Sequence, residues 1–346
     1  MILQVIHDNK MYPIDTTVKE TVDGSNGIDY IDFSISGYDE HYKVIACEDT
    51  IYCGEQKYVI KLIDCTDTNS INITAYIDHY DLTGTTFIYD NALKWDNKTL
   101  PEMMQNLYDH IALNDTLHRW NYKIIANDTS TRLSLDLTGG EYTYNAILNE
   151  MANLFGYKIR YDSISKIIRF INISDIKSKG LYIIDQLNLE KLDYTIASDN
   201  LYTRLYVFGA EKASAAAGSY KYVNIAEINN GKAYIENHSY TTKAIDHVEH
   251  FDNITDPQEL LKKGKELINK YSSPIESFSI TIADVARLDP NSYSLFGLEI
   301  YDKVKVIDNM RGKVVEEQIM KIERNLDRPE ETTIEMSNEP ISIINR

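Results

Sequence analysis

The chain has 346 residues, 53 acidic against 35 basic side chains, a formal net charge of −18 and a hydrophobic content of 43%. That length exceeds what one hydrophobic core usually supports, so two or more packed units are predicted, and the apolar content excludes disorder over most of the chain. So acidic a chain is a poor sequestering partner for phosphate backbones; the charge suits a conduit that DNA crosses without sticking, and equally any soluble acidic protein.

Tyrosine dominates the aromatics, with 26 Tyr against 8 Phe and 2 Trp. Tyr packs on half-buried strand faces and at interfaces, which favours a β-rich, surface-pairing protein. The opening MILQVIHDNKMYPID lacks a basic region and is broken by Gln4, His7 and Asp8, so it does not read as a signal peptide. No stretch approaches the roughly 20 apolar residues that cross a bilayer. Cys47, Cys53 and Cys65 form no CxxC pair and read as reduced thiols of a protein made in the cytosol. The sequons at Asn72 and Asn253 then carry no weight as glycosylation sites.

In chain order, residues 1–86 read as strands. Ile31, Phe33 and Ile35 alternate to one face, as do Ile71, Ile73, Ala75 and Ile77. Gly24–Gly27 and Cys53-Gly54 supply turns, and a barrel or sandwich part follows because no helices separate the strands. Thr99-Leu-Pro-Glu102 is a capping box opening a helix. A second helix is predicted over about Tyr144–Phe155, with an Ile147, Leu148, Met151, Leu154, Phe155 stripe and Gly156 as a left-handed cap. A hairpin, YKIRYD–SIS–KIIRFIN, comes next. Residues 87–188 thus form an inserted α+β domain. Residues 189–250 are a β-rich segment, in which 212–219 reads as a mobile loop. Residues 251–346 begin with a helix after Asp256-Pro257-x-Glu259, with Leu260, Leu261, Leu267 and Ile268 on one side. They continue as strands, including Phe278, Ile280 and Ile282 on one face.

Catalytic signals are sparse. There is no GxSxG, no HExxH and no phosphate-cradling glycine loop. His247 and His250, with Asp246, Glu249 and Asp252, would share a metal only on a helix, whereas the flanking sequence looks extended. Glu190 with Asp193, or Asp81 with Asp90, could be written as glycosidase carboxylates, but 53 acids make such pairs common by chance. Trp95 and Trp120 could line a sugar groove; Trp120 reads better as a core anchor.

The most telling stretch is Leu201–Glu211, LYTRLYVFGAE. Extended, it places Leu201, Thr203, Leu205 and Val207 on one face and Tyr202, Arg204, Tyr206 and Phe208 on the other. Arg204 is flanked by tyrosines two residues away on each side, a spacing that predicts cation–π contact with Tyr202 and Tyr206. Bulk on both faces points to cover on both, though a sandwich strand with an amphipathic outer face would show the same spacing.

Residues 199–209, DNLYTRLYVFG, resemble the TRLY-type strand of the prophage endopeptidase tail family, also called the phage minor structural protein N-terminal region. Ala75–Leu82, Gly231–Asn237, the helix after Asp256-Pro257, Leu298–Val304 and Leu326–Ser337 resemble that family's segments in the same order. Tyr301 is a departure, standing where the family often has Gly before Asp302. The resemblance implies a mostly β, α+β fold like the baseplate hub of contractile tails: two tube-like β-barrel domains with inserted α/β parts. It implies a homotrimer at the virion tail tip, made in the bacterial host cytoplasm, that closes the tail tube. The partners implied are the distal tail protein, the tape measure protein and receptor-binding or tail-fibre proteins, with non-specific DNA passage at ejection. No cofactor and no enzymatic activity are implied for this stretch, since members named lysins usually carry that activity in C-terminal extensions. Tyr202, Arg204, Tyr206 and Phe208 then become a candidate domain or subunit junction. The competing readings are a tail-associated cell-wall hydrolase and a carbohydrate-binding receptor module.

Overall fold

The structure, a computed structural model, describes residues 1–25, 27–67, 69–112, 114, 116–184, 187–212, 221–252, 254–309 and 312–337. The predicted loop at 212–219 falls outside these residues from 213 on, as do Asn26 of the 24–27 turn and Asn253 of the second sequon. The fold is mostly β, of the α+β class, and divides into two compact units: residues 1–193 with 279 onward, and residues 194–278.

The first unit starts with seven antiparallel strands: β1 (Ile2–His7), β2 (Lys10–Asp15), β3 (Val18–Asp23), β4 (Tyr30–Ser36), β5 (Thr50–Cys53), β6 (Gln56–Asp67) and β7 (Ser70–Ile77). The alternation read from β4 and β7 is met: Ile31, Phe33, Ile35, Ile71, Ile73, Ala75 and Ile77 are all buried. β1 and β2 are joined through Asp8 and Asn9, both at positive φ (47° and 61°), the twist that a two-residue hairpin turn needs. Met1 and Thr16 exchange both backbone bonds at 3.0 Å. Counting along the register from that pair, Gln4 opposite Pro13 is a non-hydrogen-bonded pair. Pro13 therefore turns its ring nitrogen to the open edge, where a missing N–H disturbs no ladder.

The insertion holds β8 (Thr86–Ile88), β9 (Lys94–Lys98), α1 (Leu100–His110), β10 (Asn121–Ile125), β11 (Leu133–Asp136), β12 (Glu141–Thr143), α2 (Tyr144–Phe155), β13 (Lys158–Asp162) and β14 (Ile167–Ile171). The capping box opening α1 is complete: the Glu102 N–H donates to Thr99 Oγ1 (3.3 Å) and the Thr99 N–H to Glu102 Oε2 (2.9 Å). α2 ends on Gly156 at φ 73°, and β13 and β14 form the predicted hairpin. Ile147, Leu148 and Met151 are buried while Leu154 and Phe155 lie half-buried at its end. One continuous core runs from Leu3 to Phe170 and takes in both tryptophans, Trp95 and Trp120.

The chain continues with β15 (Leu181–Ile184) and β16 (Leu189–Ala197). The second unit contributes β17 (Arg204–Glu211), β18 (Tyr222–Asn224), β19 (Tyr234–Glu236), β20 (Asp246–His250) and α3 (Pro257–Tyr271). Then come β21 (Ile275–Ile282), two single-turn helices α4 (Val285–Leu288) and α5 (Pro290–Tyr293), β22 (Lys303–Asp308), β23 (Lys313–Asn325) and β24 (Arg328–Ser337). α3 starts as predicted, with Asp256 accepting from the Gln258 N–H at 3.0 Å and Pro257 in the first turn. Phe278, Ile280 and Ile282 are buried along β21. The large sheet runs β16-β21-β24-β23-β3-β4-β7-β6-β5-β1-β2, with β22 and β15 branching from β23. β23 switches partner halfway, pairing β22 through Gln318 and β3 from Lys321 on, with a register shift against β24 at the same place.

Two buried features tie distant segments together at that switch. Arg160 on β13 grips Asp29 with two bonds (2.7 and 2.5 Å) and also donates to the Asp23 carbonyl (3.2 Å). Burial pushes the Asp29 carboxyl up from its ordinary value, and the guanidinium offsets this only in part. Beside this pair sits Tyr301, 1% exposed, whose hydroxyl donates to the Gly24 carbonyl at 2.8 Å. Tyr301 has φ 70°, so the position the family often fills with Gly does demand a left-handed backbone. The ring takes the space Gly24 leaves: a Cβ on Gly24 would lie 2.6 Å from the ring.

Candidate interaction surface

β17 is the centre of the four-stranded sheet of the second unit, antiparallel to β18 and β19 along one edge and parallel to β20 along the other. Its alternation divides the sheet. Leu205 and Val207, with Ile235, face Leu260 and Ile268 of α3 and form a small buried core. Gly209 lets the chain pass close to its neighbour, since a Cβ there would lie 2.2 Å from the Ile254 carbonyl oxygen that accepts the Ala210 N–H.

The opposite face carries Arg204, Tyr206 and Phe208, aligned by register with Glu236 and Tyr234 of β19 and with Asp246, Val248 and His250 of β20. These side chains are half-buried or exposed, Val248 at 51%. Tyr206 packs on Tyr234 (centroids 5.2 Å apart), and Phe208 stacks on His250 (5.3 Å), which meets Tyr222 edge-on (5.1 Å). Three of the four residues singled out in the sequence therefore share one face.

Tyr202 does not join them. It precedes the strand, is 6% exposed, and stacks on His247 (4.6 Å) and against Tyr271 (5.3 Å). Burial pushes its phenol well up.

The cation–π expectation for Arg204 is corrected in its partner. The guanidinium lies over Tyr234, 4.7 Å from the centroid. Glu236 stands directly opposite Arg204, which places Tyr234 one step along the same face as its diagonal neighbour, and diagonal pairs lie within reach of long and aromatic side chains. Glu236 bonds Arg204 (2.8 and 2.9 Å) and Asp246 lies at 3.6 Å. The Glu236 bond, followed by its charge, that of Asp246 and the Tyr206 hydroxyl, holds the guanidinium above its ordinary value. Arg204 in turn holds the Glu236 carboxyl below its own.

The other candidate groups are dispersed. His247 pairs in register with Leu205 and His250 with Phe208, so the two histidines point to opposite faces of an extended strand. Among the described residues no cluster of three His, Cys, Asp or Glu side chains could hold a metal. Asp81 is engaged by Lys166 in an ion pair (3.0 Å) and Asp90 by a hydrogen bond with His110 (2.6 Å), each at its own place. Glu190 and Asp193 are exposed on β16. Tyr234, Glu236, Asp246 and His250 are the surface residues that sequence spacing missed; their signal is a register between strands, which spacing within one strand does not carry.

Residues 177–345 match the family described as prophage endopeptidase tail. These residues, just under half of the chain, carry the likeness to that family. The β17 face and β15 to β24 lie in or on that matched region. In fold the chain is similar to prophage tail protein gp18 from Listeria monocytogenes EGD-e, with a TM-score of 0.67 at 14% identity over 99% of this chain and 96% of that one. It is also similar to the prophage MuSo2 43 kDa tail protein from Shewanella oneidensis, with a TM-score of 0.68 at 14% identity over 97% and 98%. Among curated proteins it is 22% identical over 261 residues to a non-toxic nonhemagglutinin from Paraclostridium bifermentans. That match takes in 68% of this chain but only 21% of the relative's length. The likeness in fold to these tail proteins thus extends N-terminal to the matched region, through the insertion and the first seven strands.

Proposed function

We propose that this chain is a structural protein of a phage or prophage tail, working at the tail tip as a trimeric hub that closes the tube. The observation that supports this best is the breadth of the likeness in fold: 99% of these residues are spanned by that of a prophage tail protein. Within this chain that leaves almost no stretch outside a tail-protein fold to house separate chemistry. In this reading residues 1–86 and 251–346 supply parts of two tube-like barrels, 189–250 completes them, and 87–188 is the insertion. The hub joins the distal tail protein and tape measure protein to receptor-binding or tail-fibre proteins. It is made in the host cytoplasm and incorporated into the virion. DNA passes through at ejection, and the chain's net charge of −18 disfavours sticking. Tyr206, Phe208 and Arg204, with Tyr202 behind them, mark a domain or subunit junction.

Mass in solution is the direct test. Sedimentation as a trimer, alone or with a distal tail protein, supports the hub; a strict monomer that ignores that partner refutes it. A zymogram on host cell walls addresses the word endopeptidase in the family's description: clearing by this chain would overturn the purely structural reading.

A further inference from the structure

We propose that copies of this chain meet by a knob-and-cleft contact, the Ile88–Tyr89 turn of one copy entering the opening between β19 and α3 of the next. The inference rests on the ring reading above and assigns one of its self-contacts. Ile88 and Tyr89 are 63% and 62% exposed, side by side at the end of β8. Tyr89 holds φ 47°, a backbone region that bulky side chains rarely occupy and that Gly or Asn would fill without strain. The turn is nevertheless braced. The Tyr89 N–H donates to the Gly140 carbonyl (2.9 Å), and Asp90 accepts from the Ala92 N–H (2.9 Å) and pairs with His110 (2.6 Å). A strained, exposed aromatic beside an exposed aliphatic serves no turn; it serves something outside the fold. Its rim is acidic, with Glu141 directly across the strand pair from Ile88 and Asp90 next in sequence.

The second unit offers the complement. An open cleft of about 390 Å3 is lined by Tyr234, Ile235 and Ile268, by the exposed Lys232 and Lys265, and by Glu236, whose carboxylate already bonds Arg204. That volume lies at the small end of the range, roughly 300–1,000 Å3, for clefts that take small groups. Among the described residues neither lysine is held by a carboxylate. An apolar knob beside the exposed Glu141, and a mixed polar and apolar cleft whose two lysines no carboxylate holds, fit a second copy of the chain. Because the two patches differ, the contact is head-to-tail and repeats around a closed ring, where an isologous dimer would not.

The experiment uses the full chain with the exposed Cys47 and Cys65 changed to Ser. One protein carries Tyr89→Cys, a second Lys265→Cys, and the two are mixed and oxidised. A two-chain adduct that forms in the mixture, is absent from either protein alone and disappears on reduction is expected. Separately, Tyr89→Asn is expected to keep or raise the unfolding midpoint while weakening self-association at least tenfold. Glu141→Lys and Lys265→Glu should each weaken it and together restore it. A wild-type trimer that survives Tyr89→Asn unchanged and yields no adduct overturns the contact and leaves the ring standing. A wild-type chain that never self-associates, with or without a distal tail protein, overturns both.

Discussion

Replacing Tyr301 reads out whether its ring offsets a backbone that prefers glycine. The residue is 1% exposed, left-handed at φ 70°, and bonded through its hydroxyl to Gly24. Tyr301→Phe keeps the ring and leaves the Gly24 carbonyl without that donor, a loss of about 1–3 kcal/mol. Tyr301→Ala empties the site and keeps the strain, a loss of about 3–5 kcal/mol by analogy with large aromatic truncations. Tyr301→Gly empties the site too, but relieves roughly 1–2 kcal/mol of left-handed strain. Gly should therefore be more stable than Ala here by about 1 kcal/mol, the reverse of the usual order in strands and helices. Urea unfolding followed by a probe in the first unit, with the denaturant slope checked for constancy across the set, measures all three. An Ala variant as stable as Gly would refute the argument, and the positive φ would then carry no cost at this site.

Removing one partner of the buried Arg160–Asp29 pair, as in Asp29→Ala, should cost about 3–5 kcal/mol, and Asp29→Ala with Arg160→Met clearly less than the two single losses summed; a double-mutant cycle checks it. His79 is buried and stacked on Tyr161 and Tyr80, and burial lowers its pKa below the ordinary value. The unfolded chain then binds the extra proton first, so stability falls as pH drops through about 6.5 toward the lower folded value. His7 has the opposite sign, its pKa raised by Asp49, so comparing wild type with His79→Gln in pH-dependent thermal melts isolates the His79 contribution; identical slopes would count against it. Arg204→Ala should weaken trimerisation or partner binding roughly tenfold, as a modest interface hot spot does, while leaving the unfolding midpoint near wild type; wild-type assembly by sedimentation would remove the junction role.

What was legible in the sequence is what local chemistry decides. Thr99 with Glu102, Asp256 with Pro257, and Gly156 mark helix ends because their partners lie within one turn. Alternation in β4 and β7 shows which side chains go in, because a strand's period is two. Pairing is another matter. β3 lies against β23, Lys19 opposite Asn325, and Arg160 reaches Asp29 across 131 positions. No local pattern states such a match. The candidate surface divides the same way: the shared face of Arg204, Tyr206 and Phe208 followed from alternation. The ring under Arg204 depended on the register of β19, and Tyr202 fell outside because the strand starts two residues later.

β16 and β21 are neighbours in the large sheet, and the second unit, Tyr194 to Phe278, is one unbroken stretch that begins within β16 and ends within β21. An excursion that leaves and returns along adjacent strands brings its own ends together, so the entropy of closing that loop is already met by the sheet. The stretch from β17 to α3 could therefore change in length or sequence at little entropic cost to the pairing of β16 with β21. The aromatic face on β17 could then change while the large sheet keeps its pairing.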